Sequence, residues 1–572
     1  MNLRIFLEKV DALINTMSKV ECVDFIHELA RKLNEGERID FLSVLEKSKS
    51  IDKNVGNEKL EKEALEAKFT YLKETLEKIA NGELYMTSTL NEDYDDWYHD
   101  DDEDEYIYED NEGVLTTIEE AINYIHQCVD LEHYHEGYEI AKRLTNVTVK
   151  IIGEYDDRKF TVLELRYANL IALDMDKYTV NMLYLTYQGN ELSNRCEALY
   201  AMIDKLEWKD EYLEELMQIN EEIIDFDEFL DSWISYLGVK ESSLAEKLLK
   251  NAISNLNNLD KQLVHARQYY AYHPALYLYC LETHMEDKDR NRLFHIGIEA
   301  LRNIDKKYVI RSTIAEITAR LAVELNMIDA RNQCWIEAFC SHTNITTYLR
   351  IVKESDIYLK VKNKLMHMYQ QVPISEYRSI FKRETTENNI NKVTFLMLNF
   401  LNGNFQETVI EARNTENDAG MIRGCIISAF LLLLYQNDEL KIGCEYMCSR
   451  IKRECKFDLK QYQNGLYKPT DIDEIALFWN CFLKWKKTVT LSKEQEKQCI
   501  LFIEDFISNY VASVLRNKDR NAYYICATMV AALGEVRESR GDINGKRKII
   551  EEYKLRYPRF STFHRELKSM EN

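Results

Sequence analysis

Three groups of residues in this chain have the types and spacing that chemistry requires. Cys444, Cys448 and Cys455 recur at intervals of four and seven, near one face of a helix. Thiolates placed in this way ligate structural zinc, but such a site needs four convergent ligands and no histidine lies nearby. The same positions coincide with an apolar stripe, so we read them as buried core. His126, Cys128, His133 and His135 form a second cluster. The first two sit on a helix and point apart, the others sit at a turn, and the spacing fits no zinc module. Cys334, Cys340 and His342 make a weaker third case.

Catalytic signatures are incomplete wherever they begin. His135-Glu136-Gly137-Tyr138-Glu139 carries Glu where a zinc protease needs its second His, and His27-Glu28-Leu29-Ala30-Arg31 carries Arg there. Gly541-Asp542-Ile543-Asn544-Gly545-Lys546-Arg547 is one residue short of a phosphate loop and ends in Arg instead of Ser or Thr. It reads as a polar turn between helices. No nucleophile elbow or kinase set appears. No catalytic residue, metal ligand or cofactor site is assigned on this basis.

Two charged segments remain as candidate binding surfaces. Residues 92–112 hold 13 acidic residues and no Lys or Arg. Like-charge repulsion at that density opposes compaction, so a loop without stable structure is expected. Its carboxylates lack the spacing and the glycine of an EF-hand, so any Ca²⁺ binding is expected to be weak. Tyr94, Trp97, Tyr98, Tyr106 and Tyr108 add contact area among carboxylates such as Asp95, Asp96, Asp101 and Asp102, and a basic partner is the functional reading. At the other end, residues 537–568 contain ten basic and five acidic residues. Arg537, Lys546, Arg547, Lys548, Lys554, Arg556, Arg559 and Arg565 form a candidate basic face, with Tyr557, Phe560 and Phe563 among them.

The elements that must carry these residues are helices. Four prolines and 17 glycines in 572 residues leave little to interrupt them. Gly297-Ile298-Glu299-Ala300-Leu301 returns as Trp335-Ile336-Glu337-Ala338-Phe339, an offset of 38 that points to stacked helical units. Gly137-Tyr138-Glu139-Ile140-Ala141 is a third, looser copy. Helical periodicity is expected from Val114 to the end, with Pro274 and Pro373 at helix starts. Net charge of −24 opposes broad binding to a phosphate backbone, although a local basic face remains open. The 13 cysteines read as reduced, buried side chains. No secretory signal is expected in the first helix, and Cys425–Tyr435 is about half of a bilayer span. A cytoplasmic protein is the expectation.

The segments His273-Pro274-Ala275-Leu276-Tyr277, 297–301, 335–339, Tyr348-Leu349-Arg350, Ala531-Ala532-Leu533-Gly534-Glu535-Val536-Arg537 and Tyr557-Pro558-Arg559 resemble the helical-repeat region of bacterial SWIM zinc-finger proteins and relatives in low-GC Gram-positive bacteria. The chain has no Cys-x-Cys, and Cys340-Ser341-His342 matches only the second half of the finger. The resemblance therefore implies a helical scaffold without the zinc module.

The combined expectation is an all-α protein, a TPR-like α-α superhelix of degenerate hairpins with a small helical cap. Its divisions are a three-helix segment (1–48), a linker and charged helix (49–91), the acidic loop (92–112), a helical-repeat domain (113–385) and a second one with the basic end (386–572). The expected function is a non-enzymatic scaffold or adaptor for another protein. A nucleic-acid accessory role through the C-terminus and an enzyme site in the solenoid groove are the alternatives. No membrane partner is expected.

Overall fold

With so few helix breakers, the local preference of this chain is helical nearly everywhere. The computed structural model describes residues 17, 25–26, 58–90, 106–153, 157–206, 212–219, 223–256, 258–375, 387–415, 419–466 and 473–571. Most of these residues lie in 26 α-helices. The expected cap over 1–48 falls almost entirely outside the described residues.

Two compact units divide the chain, Met1–Gln262 and Leu263–Asn572. The division lies inside the expected 113–385 segment. The first unit runs α1 (Glu58–Ala80), β1 (Met86–Leu90), β2 (Tyr106–Glu109), α2 (Val114–Asp130), α3 (Tyr134–Leu144), β3 (Val149–Gly153) and β4 (Lys159–Phe160). It continues through α4 (Val162–Tyr167), α5 (Met175–Gln188), α6 (Leu192–Leu206), α7 (Tyr212–Ile219), α8 (Phe226–Gly238) and α9 (Ser243–Ser254). The sequence of α10 (Leu259–Tyr269) crosses the division.

The second unit begins its complete helices with α11 (Ala275–Thr283), α12 (Arg290–Asn303), α13 (Ile310–Glu324), α14 (Ile328–Ser341), α15 (Ile345–Glu354), α16 (Tyr358–Gln370), α17 (Lys392–Leu401) and α18 (Phe405–Asn414). It ends with α19 (Ala419–Leu434), α20 (Ile442–Glu454), α21 (Leu459–Asn464), α22 (Glu474–Lys486), α23 (Lys493–Asn517), α24 (Tyr523–Ser539), α25 (Gly545–Arg556) and α26 (Ser561–Ser569).

Helix starts follow side-chain capping. Asp174, Ser242, Asn344, Asn391 and Asp473 each accept a first-turn N–H. Thr161 with Glu164 and Ser492 with Gln495 form reciprocal capping boxes. Pro274 precedes α11 as expected. Pro373 starts no helix. Its carbonyl accepts from the Ile390 N–H beside a bridge of Ile374 to Ile390.

A four-stranded sheet is ordered β2-β1-β3-β4, and its strands β3 and β4 correct the expectation of unbroken helix after Val114. β1 runs antiparallel to β2 and parallel to β3, while β3 and β4 are antiparallel. These strands are too short to declare a period of two against a helical background. Met86, Ser88, Val149 and Ile151 are buried, and α1 packs on β3. The acidic loop is likewise shorter than expected, because Tyr106–Glu109 is the edge strand β2. Asp110 then accepts the N–H groups of Val114 and Leu115, at the start of α2.

The repeated motif explains part of the second unit. α12, α13 and α14 pack each on the next. Gly297 of α12 faces Thr318 of α13 so closely that a β-carbon would overlap its hydroxyl. The glutamates of the two copies in this unit, Glu299 and Glu337, each hold an arginine. Arg267 donates to both oxygens of Glu299 at 2.7 Å, and Tyr277 adds a bond of 2.7 Å. Arg311, from α13, donates to Glu337 at 2.6 Å.

The Arg267 hydrogen bonds hold the Glu299 carboxyl below its ordinary range. Burial alone would raise Glu337, but the Arg311 guanidinium overcomes it and the net shift is down. Depressed carboxylates stabilise the fold above the unfolded glutamate pKa, roughly 4.3, and lose that contribution as pH falls through their lower folded values. Glu299→Gln and Glu337→Gln are therefore expected to flatten the acid limb of a stability-versus-pH curve, measured by urea unfolding. Gly297→Ala is expected to cost about 1–3 kcal/mol by forcing α12 off α13, with partial recovery when Thr318 is also replaced by Ala.

Candidate functional site

The sequence expectations placed binding at the acidic tract and at the basic C-terminus. Tyr94, Asp95, Asp96, Trp97, Tyr98, Asp101 and Asp102 lie outside the described residues. Tyr106 and Tyr108 are within β2, where Arg158 engages both rings. Its guanidinium carbon stands 4.6 Å from the Tyr106 ring centre, and Nη2 donates to the Tyr108 hydroxyl at 2.8 Å. Phe160 of β4 meets Tyr108 edge-on at 5.6 Å. These two tyrosines thus build the sheet's own surface as well as bordering the acidic tract.

The basic face is assembled on α24, whose Ala531-Ala532-Leu533-Gly534 stretch lets neighbours come close. A β-carbon at Gly443 of α20 would stand 2.5 Å from the Ala532 nitrogen. One at Gly534 would overlap the backbone of α25 at Lys546. Next in sequence is Glu535, with no exposure. Its carboxylate accepts the N–H groups of Gly443 at 3.1 Å and Cys444 at 2.8 Å, in the first turn of α20. Lys546 Nζ, itself buried, pairs with the same carboxylate at 3.3 Å. Lys546 therefore belongs to the interior and is removed from the expected basic face.

Most of the remaining cations on that face are neutralised locally. Arg537 pairs with Glu504 at 2.7 Å, Arg547 with Glu551 at 3.2 Å, Lys548 with Asp542 at 2.6 Å and Arg556 with Glu552 at 2.6 Å. Lys554 pairs with Glu571, and Arg565 stands 3.7 Å from Glu566. Arg559 is exposed. A surface so interleaved with carboxylates does not present the clustered positive charge that a phosphate backbone needs. The turn Gly541–Asn544 joins α24 to α25, with Gly541 and Asn544 in the left-handed region.

Between α19, α23 and α24 lies a pocket of about 210 Å³. Leu434, Ile500, Leu533 and Val536 supply its apolar surface, and Arg537, Arg540 and Asp542 its charged groups. Both arginines are oriented from α23, Arg537 by Glu504 and Arg540 by Glu496 at 2.5 Å. Nearby, burial pushes the Lys486 ammonium down to about 8, with Arg540 adding repulsion. Lys486 donates to the carbonyls of Leu432 and Tyr435 at the end of α19, a capping role. The expectation for this region stopped at charge. The pocket escaped it because its lining comes from three separate helices, α19, α23 and α24, that read only as core helices.

The metal candidates take structural places. Cys444, Cys448 and Cys455 are buried, and burial raises the Cys448 thiol to about 12. His126 sits 2.5 Å from Asn181, His133 3.8 Å from Glu136, and His135 3.5 Å from the Gly189 carbonyl. Among the described residues no three or more His, Cys, Asp or Glu gather to hold a metal ion. Among the described residues one helix, α23, is long and apolar enough to cross a bilayer by length and composition. Cys499, Phe502, Ile503, Ile507 and Val511 on it are buried in the second unit.

Comparison of the chain with protein-family models and with curated proteins gives no match.

Glu535→Ala removes the acceptor of the α20 amides and leaves Lys546 as a buried unpaired charge. A loss of about 3–5 kcal/mol is expected in urea unfolding, and a smaller one when Lys546→Met accompanies it.

Proposed function

We propose that this chain is a non-enzymatic helical-repeat scaffold that holds another protein. The observation carrying this reading is the apolar pocket of the second unit with Arg537 and Arg540 at its edge. A concavity of that volume takes one large apolar side chain, ringed by the paired charges of Arg537 with Glu504 and Arg540 with Glu496. The partner segment is therefore a peptide with an aliphatic or aromatic anchor. The motif-bearing run α12–α14, each helix packed on the next, supports a TPR-like superhelix and agrees with the resemblance to the repeat region of SWIM proteins. A scaffold of this kind needs no metal or cofactor. Neutralisation of the C-terminal cations weighs against the nucleic-acid reading.

Affinity capture from native cells with the full chain tests this, read by mass spectrometry with nuclease-treated controls. Ile500→Lys combined with Arg540→Glu is expected to lose at least tenfold of the captured partner while keeping the thermal midpoint within a few degrees. Retention of the partner by that folded variant rejects the pocket as the dock. Deletion of 92–105, which spares β2, tests the acidic tract separately, and a partner lost only there moves the dock to the tract.

A further inference from the structure

Two helices of the second unit bring a pair of thiols together. α19 and α20 pack on each other, and Cys425 Sγ of α19 meets Cys455 Sγ at 3.8 Å. Cys455 caps the end of α20. Both side chains are buried, Cys425 with no exposure and Cys455 with 4 %. Among the twelve described cysteines, all free, this is the pair whose sulfurs touch. Neighbouring contacts fix the register. Ser428 of α19 donates to Met447 Sδ of α20 at 3.1 Å, and Gly424 lies against the Arg450 guanidinium.

Cys455 stands where the chain leaves α20. Lys456 follows in the left-handed region at φ 49°, a conformation that is costly for a residue other than glycine. The N–H groups of Lys456 and Phe457 donate back to the carbonyls of Arg453 and Lys452, closing the helix. Phe457 is buried and meets Phe478 edge-on at 5.4 Å. The Asp458 N–H donates to Thr346 Oγ1 at 2.9 Å, and its side chain caps α21. Residues 456–458 are thus a strap from α20 to α21, and it begins with a strained turn beside the thiol pair. A contact between two thiols is itself a weak hold.

We propose that Cys425 and Cys455 are an oxidation site, forming a disulfide that clamps the strap to α19. A disulfide needs its sulfurs about 2.05 Å apart, so each sulfur moves by about 1 Å, within reach of a side-chain rotation. A peroxide serves as the oxidant. The Cys455 thiolate attacks one peroxide oxygen and breaks the O–O bond, leaving a sulfenic acid and a hydroxide that takes up the thiol's proton as water. The Cys425 sulfur then attacks the sulfenic sulfur. The S–O bond breaks, and the departing hydroxide leaves as water with the Cys425 proton. Two thiols and one peroxide thus give one disulfide and two waters. Contact with the Cys425 thiol, together with burial, pushes the Cys455 thiol well above its ordinary range, so its thiolate is scarce and oxidation is slow. Once formed, the bond spans a separation of 30 residues and restricts the unfolded chain, so the oxidised protein is the more stable form.

The test is prolonged incubation of the folded full chain with hydrogen peroxide, followed by peptide mapping without reductant. A linked Cys425–Cys455 peptide is expected, with a thermal midpoint several degrees above that of the reduced protein and slower amide exchange across 455–466. A phosphine reductant is expected to reverse all three. Cys340, half-exposed, is expected to gain oxygen instead and reports that the peroxide has acted. Cys425→Ala, folded by circular dichroism, is expected to lose the linked peptide and the midpoint shift, whereas Cys444→Ala keeps both. Oxidised and re-reduced wild type are compared directly, so the result stands even where a variant does not fold. Oxidation of Cys340 with Cys425 and Cys455 still free overturns the proposal, and so does pairing of either with a different cysteine. A linked peptide with midpoint and exchange equal to those of the reduced chain also overturns it, because the bond then clamps nothing.

Discussion

A single carboxylate with no exposure organises the C-terminal part of the second unit. Glu535 takes the first amides of α20 and the ammonium of Lys546 from α25, while its own helix α24 lies between them. Burying this charge is expensive, and hydrophobic groups of equal volume often serve stability as well or better. What the charge adds is position. A carboxylate satisfied by two particular amides and one ammonium admits one axial setting of α20 against α24, whereas an apolar stripe tolerates sliding. The pocket depends on that setting, because Leu533, Val536, Arg537 and Arg540 all project from α24 within two turns of Glu535.

The same device recurs deeper in the second unit. Arg350 of α15, with no exposure, donates to Glu316 of α13 at 2.9 Å and to the Gln461 carbonyl of α21 at 2.8 Å. Asn464 closes the other Glu316 oxygen at 2.8 Å. The Trp335 indole, in the motif position held by Gly297 in the earlier copy, donates to the Gly465 carbonyl at 3.3 Å. Thus one copy of the motif uses its first position for close helix approach and the other uses it to hold a short helix. That divergence explains why the repeat is faint in sequence while α12, α13 and α14 still pack in succession.

Charge is handled differently at the surface. The chain carries ten cations over 537–568, but most of them have carboxylate partners, drawn from α23, from the same helix, from the turn before α25 or from Glu571. Exposed pairs of this type contribute little to stability, but they change what the surface offers a ligand. Counting Lys and Arg along the sequence cannot register Glu504 or Glu571 as their neighbours. Spacing along the sequence likewise groups Cys455 with Cys444 and Cys448, whereas its sulfur meets Cys425 across two helices.

The sequence by itself determined that the chain is mostly helical, because few prolines and glycines and a persistent period near 3.6 act within one turn of each residue. It also determined the apolar setting of most of the described cysteines and the helix start at Pro274. Tertiary structure decided what depends on partners distant in sequence. Met86–Leu90 and Tyr106–Glu109 are strands because each supplies the other's hydrogen bonds and β3 completes the ladder, an advantage invisible to a local window. Lys546 became interior, Tyr106 and Tyr108 became ligands of Arg158, and the pocket arose between three helices, for the same reason. Local preference sets which element a segment can form, while burial and ion pairing set what its side chains face, and only the second depends on the whole fold.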